Sequence, residues 1–529
     1  MAVALVCLLL GGRAVYLSVA SSDAVQALAA EQPAQEDPAA KDRGDILSAD
    51  GRQLATSLQR YRLISTPYQI EDPEETASTL SNVVGDELGQ NKEQIKAALT
   101  KQDSKGNLRG YSIVGSIEPQ AAEKVRELEV EGLTLTPVPV RTYPDGQLAS
   151  QTIGYLGDYG TAFGGIEARY QKKLESGQDV TLTVDAAVQQ ELEKELEGVV
   201  EEHKAKSALG VVMRVDDGAV VALAGVPSFD NNQFEKAEPE LQRNRVLTDP
   251  YEPGSTFKPF TMAAALEERA VSTEDWFTVP DHMQVADRVI HDSEPHETKY
   301  MQPKDILEQS SNVGTIQVAQ QLGGARLEDR IRSFGFGEAT GIDFWGEDPG
   351  VVPAYEDWSG TSIGNIPIGQ GLTVTPLQLV TGYASLINGG TAVEPHMLQK
   401  EGEPEQGKRM ISRETSDIVR GMLENVVEKG SGHMAQIPGY TVGGKTGTSQ
   451  KVDPETGAYA FKHIASFVGF APASDPEYVA LIVADEPQTD YWGEVVAAPA
   501  FQELMSFTLG YYNVPPDRKR PEDAKGENR

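Results

Sequence analysis

Asp216-Asp217-Gly218 separates two apolar runs, Ala208–Arg214 and Ala219–Ala224. An acidic residue followed by glycine between such runs is the strongest short-range hairpin signal, because glycine tolerates the backbone turn that other residues resist. Just upstream, Ala187–Lys204 is a charged amphipathic helix pattern, and Val180–Val184 alternates like a strand. The texture of the chain changes at Asp179, and from there to about Tyr512 it reads as one large α/β (α+β) unit.

Residues 44–170 alternate short strands with helical patterns. Glu74–Leu88, Lys92–Leu99 and Pro119–Leu128 are expected as helices. Gly154 to Gly165 is a glycine-rich loop without the strand–helix frame of a dinucleotide site. Asp23–Arg43, rich in Ala, Glu, Gln and Pro, reads as a linker. Ala2–Leu10 is apolar, Arg13 interrupts, and Ala14–Ala20 is again mostly apolar. That run is shorter than the roughly 20 apolar residues a membrane helix needs and lacks a basic leader, so it is read as a truncated membrane anchor. Pro515–Arg529 is a polar tail expected to be disordered.

Composition narrows the function. Asp and Glu number 80 against 46 Lys and Arg, a net charge of −34 that repels phosphate backbones and argues against nucleic acid. The one cysteine, Cys7, excludes an intrachain disulfide framework and a cysteine-rich metal or iron–sulfur site. His291-Asp292-Ser293-Glu294-Pro295-His296 has neither a helix-face nor a zinc spacing and is read as a solvated loop, so no metal is expected.

Gly439–Thr446 satisfies the G-x-x-x-x-G-K-[ST] pattern of a nucleotide-binding ATPase. The pattern needs an apolar strand before it and a helix opening at Lys445-Thr446. Ser431–Pro438 is polar and glycine-rich, and Gly447–Pro454 does not support a helix, so a P-loop is disfavoured.

Lys445 belongs better to a different constellation. Ser255 and Lys258 sit three apart at the start of an apolar helical run, on one face of a helix. In the first helical turn a serine meets free N–H groups and the positive dipole end, and a lysine with a depressed pKa can take its proton. Pro259 fits there because first-turn N–H groups need no intrahelical acceptor. Ser310-Ser311-Asn312 follows, then Lys445-Thr446-Gly447-Thr448. This ordered trio, S-x-x-K, S-x-N and K-T-G, is shared by penicillin-binding proteins and class A β-lactamases; Ser311 stands where S-D-N has its aspartate.

With these motifs the chain resembles the class B penicillin-binding proteins, the monofunctional peptidoglycan transpeptidases, most closely the division type. Arg43-Gly44-Asp45, Arg141-Thr142-Tyr143-Pro144 and Gly164-Gly165-Ile166-Glu167 resemble signatures of the family's N-terminal pedestal. Ile368-Gly369-Gln370-Gly371, Ala465–Phe470 and Ala497–Phe501 resemble landmarks of its transpeptidase domain. The resemblance implies a β-lactamase-like transpeptidase fold on an elongated α+β pedestal: anchor 1–20, linker 21–42, pedestal 43–178, transpeptidase domain 179–512 and tail 513–529.

It also implies roles. Ser255 attacks the D-alanyl-D-alanine carbonyl of a stem peptide, neutral Lys258 accepts its proton, and Ser310 relays a proton to the leaving amine. Asn312 holds Lys258 and the donor peptide, and Lys445 supplies positive charge. Thr446 and Thr448 bind the peptide carboxylate, and Gly447 lets the peptide approach the strand edge. The Ser255 and Thr448 N–H groups form an oxyanion hole. Apart from the resemblance, Trp492, beside Tyr491 and Gly493, is read either as flanking the cleft or as a packing residue. Expected partners are peptidoglycan stem peptides, β-lactams, a SEDS-type glycan polymerase with other division proteins, and the membrane, with the catalytic domain outside the plasma membrane; no cofactor is implied. Alternatives are a β-lactamase or D,D-carboxypeptidase of the same fold, and a non-catalytic division scaffold. No E-x-x-L-N-type motif marks a lactamase, and residues 21–178 lack glycosyltransferase signatures.

Overall fold

Residues 43–157, 160–400, 402, 407–452 and 459–518 are described by a computed structural model. The expected anchor (1–20) and linker (21–42) lie outside the described residues. Among the described residues no helix is long and apolar enough to cross a membrane.

The chain divides into two compact units, the smaller built chiefly from residues 57–141. Among its described residues, the α-helices Pro73–Leu88, Lys92–Leu99 and Pro119–Arg126 fall where the periodicity places them. Local chemistry sets their starts: the Asp72 carboxylate accepts from the N–H groups of Glu74 and Glu75, and Asn91 forms a capping box with Gln94. Leu80, Val84, Ile95, Leu99 and Val125 bury against Leu63, Val114 and Ile117 of the strands.

The larger unit takes 44–56, 142–156 and everything from 162 onward. Residues 44–56, 142–156 and 162–178, read from the sequence as pedestal, thus belong with the larger unit. The cause is burial: Ile46, Leu54, Tyr143, Ile153, Ile166 and Leu174 share one core with Leu209, Val211 and Phe260.

That core covers one face of a five-stranded antiparallel sheet. Its strands are β1 (Ser207–Arg214), β2 (Val220–Val226), β3 (Gly443–Val452), β4 (Tyr459–Ala471) and β5 (Tyr478–Asp485), in the spatial order β3-β4-β5-β1-β2. The Asp216-Asp217-Gly218 hairpin forms as expected, with Gly218 at φ +80°. Seven helices matter here: α1 (Ala186–His203), α2 (Lys258–Glu267), α3 (Pro303–Glu308), α4 (Asn312–Leu322), α5 (Pro376–Ile387), α6 (Arg413–Lys429) and α7 (Ala498–Tyr511).

The strand period of two sorts the sheet's side chains onto its two faces. On β5, Val479, Leu481 and Val483 enter the core shared with α2 and α5, while Ala480, Ile482 and Ala484 enter the one shared with α1 and α7. Both faces are covered, which is why β5 reads as a continuous apolar run. β3 is an edge strand, so it alone of the motif-bearing segments offers a free backbone rim.

Residues 513–518, at the start of the segment read as a disordered tail, are held in place. The Asp517 carboxylate accepts from the Thr441 N–H at 2.7 Å and from the Ser474 hydroxyl at 2.5 Å, and Val514 is buried.

Candidate active site

Ser255 lies in a 3₁₀ turn, Gly254–Phe257, that runs directly into α2 at Lys258. From the sequence an α-helical first turn is expected. Pro259 explains the tightening: it has no N–H for the Ser255 carbonyl, so the Lys258 N–H takes that acceptor in a three-residue bond. Side chains three apart lie on one face of such a turn, so Ser255 and Lys258 share a face.

The turn is pinned by glycine. Gly254 (φ +57°) donates to the Gly369 carbonyl at 3.0 Å, and a Cβ on Gly369 would lie 2.1 Å from the Gly254 oxygen. The Ile368-Gly369-Gln370-Gly371 landmark is therefore the support of the nucleophile turn.

Lys258 is fully buried, and its ammonium donates to the carbonyl of Ser310 at 2.5 Å and to its hydroxyl at 3.2 Å. Burial pushes its pKa down to about 7, with the Asp292 carboxylate opposing. Ser310 occupies the junction of α3 and α4 at φ +55°, a left-handed conformation rare for a residue with a Cβ. Asn312, expected to hold Lys258, instead donates its side-chain amide to the His291 carbonyl at 2.8 Å.

On β3, Lys445 is also fully buried and donates to the Thr446 carbonyl at 3.3 Å and hydroxyl at 3.4 Å. Burial and the neighbouring Lys258 charge drive its pKa well below the usual lysine value, against the pull of Glu494. The Thr446 hydroxyl meets that of Ser431 at 3.0 Å. Thr448 donates its hydroxyl to the Tyr491 carbonyl and accepts from the Gly493 N–H, both at 3.4 Å. Gly447 serves packing as well as peptide access: a Cβ there would fall 2.4 Å from Ser466 Oγ, 2.8 Å from Thr256 Cγ2 and 3.1 Å from the Pro253 oxygen. The absence of a side chain seats β3 directly on the nucleophile turn.

These segments enclose a cleft of about 880 Å³ lined by Ser255, Ser310, Asn312, Thr446 and Thr448, with Tyr491 and Trp492 on its wall. Tyr491 stacks on His463 with ring centroids 4.6 Å apart. Lys445-Thr446 lies within a strand rather than at a helix N-terminus, so the P-loop pattern has no phosphate cradle behind it.

Sequence reasoning passed over three residues. Asp292, assigned to a solvated loop, has a buried carboxylate that accepts from the Ser311 hydroxyl at 2.7 Å. Ser431 and Glu494 also line the cleft. No spacing pattern marks Asp292, because it meets Ser311 from 19 positions earlier in the chain.

Residues 208–506 match the family model of the penicillin binding protein transpeptidase domain, and residues 38–215 that of the penicillin-binding protein dimerisation domain. Stage V sporulation protein D of Bacillus subtilis is 30% identical, the alignment covering 98% of this chain and 86% of that protein. Peptidoglycan D,D-transpeptidase FtsI of Escherichia coli is 29% identical, over 96% of this chain and 90% of that protein. The crystal structure of penicillin binding protein 3 from Mycobacterium tuberculosis with aztreonam superposes with a TM-score of 0.72 at 26% identity, covering 90% of this chain and 97% of that one.

Proposed function

The chain belongs to the penicillin-binding protein transpeptidase family, and on that premise we propose that Ser255, Lys258 and Ser310 carry out its peptidoglycan D,D-transpeptidation. The enzyme is a serine-type D,D-transpeptidase of the division class and a target of β-lactams. One observation carries the assignment of roles: a fully buried lysine with a pKa of about 7, three residues after a serine in a 3₁₀ turn and bonded to the serine of the second motif.

Neutral Lys258 takes the Ser255 proton as Oγ bonds to the carbonyl carbon between the two terminal D-alanines. Lys258 returns a proton through the Ser310 hydroxyl to the departing amine, the terminal D-alanine leaves, and the ester on Ser255 remains. The amine of a second stem peptide then attacks that ester, forming the cross-link and restoring the serine. Free backbone groups on β3 pair with the extended donor peptide. Thr446 and Thr448 offer hydroxyls to its carboxylate, and Lys445 offers charge. Asn312 acts by holding the 291 segment against the cleft. A β-lactam follows the same first step and stalls as the acyl-enzyme.

The apolar segment before residue 20 anchors the catalytic unit on the outer face of the plasma membrane, where its substrate is, and a SEDS-type polymerase supplies the glycan. The apolar composition of that segment and the division-type resemblance support these two readings; co-purification with the polymerase tests the second.

A donor peptide ending in D-alanyl-D-alanine, offered with an amine acceptor, tests the reaction. One D-alanine released per cross-link formed, and none from Ser255→Ala, supports it. Release with water as the sole acceptor makes the protein a carboxypeptidase, and no release makes it a scaffold.

A further inference from the structure

The middle motif of this chain has no acid of its own, and a separate segment supplies one. Asp292 follows the strand Arg288–His291, with its carboxylate 7% exposed against the start of α4. One oxygen accepts from the Val313 N–H at 2.9 Å; the other accepts from the Ser311 hydroxyl at 2.7 Å. Ser311 in turn accepts from the Gly314 N–H at 2.9 Å. Two of the N–H groups that every helix N-terminus leaves open are thus closed by one acid and one hydroxyl in series. Ser310, the residue immediately before, is the one bent into the left-handed region with both oxygens on Lys258.

His296 holds the acid from the other side. Its Nε2 lies 3.0 Å from the same Asp292 oxygen that Ser311 bonds, and its Nδ1 lies 2.7 Å from the Glu297 carbonyl. Both ring nitrogens face acceptors, so the ring satisfies both only as the imidazolium, and the Asp292 contact raises its pKa accordingly. The other charges acting on this cluster are Lys258, Lys299 and Asp281; Lys445 faces Lys258 from β3, and Glu494 acts on Lys445.

We propose that Asp292 is a positioning residue of the transpeptidase: clamped by His296, it fixes the N-terminus of α4 and thereby the Ser310 oxygens that hold Lys258. The inference rests on the reading of Ser255 as nucleophile and Lys258 as base. Asp292 acts on the site in two separable ways. Through Ser311 and Val313 it sets geometry; through its charge it favours protonated Lys258.

The test is the rate of acylation of the full chain by a fluorescent penicillin, followed from about pH 5 to 9. Asp292→Asn keeps the shape and removes the charge. Its high-pH plateau is expected to fall about 10- to 100-fold, the scale of a misplaced reacting group, and its acidic limb to move to lower pH. Ser311→Ala breaks the hydroxyl link but leaves the charge, so its plateau falls while the limb stays. Asp292→Asn within twofold of wild type at every pH overturns the proposal, and so does a uniform fall with an unmoved limb, which marks general loosening. If Asp292→Asn does not fold, Asp292→Ser is read in the same way: a lowered plateau with the acidic limb moved to lower pH supports the role, and an unmoved limb or a wild-type plateau overturns it. A wild-type chain that is never acylated overturns the underlying reading as well, whereas wild-type acylation with unaffected variants overturns only the positioning role.

Discussion

Lys258 and Ser310 are bound twice, the ammonium donating at 2.5 Å to the carbonyl and at 3.2 Å to the hydroxyl. The carbonyl bond orients the amine, and the hydroxyl bond gives its proton a path. Because Ser310 reaches this position only at φ +55°, backbone strain at one residue is part of how the base is held.

Acylation should follow the neutral fraction of Lys258, rising as pH passes upward through about 7. Lys258→Arg stays charged throughout and should lose acylation at every pH. The stability sign follows from the same shift. The folded pKa lies below the unfolded value of 10.5, so between about 7 and 10.5 the unfolded chain holds a proton that the folded chain lacks. The contribution of this residue to stability therefore rises with pH across that window. Lys258→Met removes a buried charge and should melt no lower than wild type at about pH 6, while being inactive; melting curves beside acylation rates check both halves.

Gly447→Ala should damage the site more than a surface substitution would. The added methyl meets Ser466, Thr256 and Pro253 and must lift β3 from the nucleophile turn. An overpacking cost of about 1–3 kcal/mol is expected in a denaturant titration, with acylation reduced about 100-fold.

Glu193, on α1, makes stability fall as pH rises. Desolvation lifts its pKa from 4.5 to about 7, so across that window the folded state keeps a proton that the unfolded state has lost. One oxygen, Oε1, accepts from both the Ala149 N–H and the Gln189 amide, and glutamine can reproduce both bonds. Glu193→Gln should be more stable than wild type by about 3 kcal/mol near pH 8 and equal to it near pH 4.

Asp517 ties the C-terminal segment to Thr441, two residues before β3, and to Ser474. Asp517→Ala should cost about 1 kcal/mol, seen as a lower melting temperature. Acylation by the variant at a temperature well below melting should stay near wild type, since the bonds lie outside the cleft.

Local features of the sequence carried far. The Asp-Gly hairpin and the helices expected near 74–88, 92–99 and 119–128 depend on neighbours within a few residues, and the structure has them. The Ser255, Ser310 and Lys445 motifs were visible because each is short and their order is distinctive. What stayed hidden depended on contacts between distant segments. Asp292 meets Ser311 across a loop that looks merely polar, Asn312 donates its amide N–H to the His291 carbonyl, and Lys258 donates to Ser310. Gly447 is glycine partly because of Thr256, nearly two hundred positions earlier, and no spacing rule encodes that. The membership of residues 142–156 and 162–178 in the larger unit is likewise set by where Tyr143, Ile166 and Leu174 bury.

The central claim, that Ser255 is the nucleophile of a penicillin-sensitive transpeptidase, is tested most directly by peptide mapping after reaction with a β-lactam. The full chain is treated, digested and analysed by mass spectrometry. A single adduct on Ser255 that persists for hours and is absent from Ser255→Ala is the expected result. An adduct on another residue, or none at all, would contradict it.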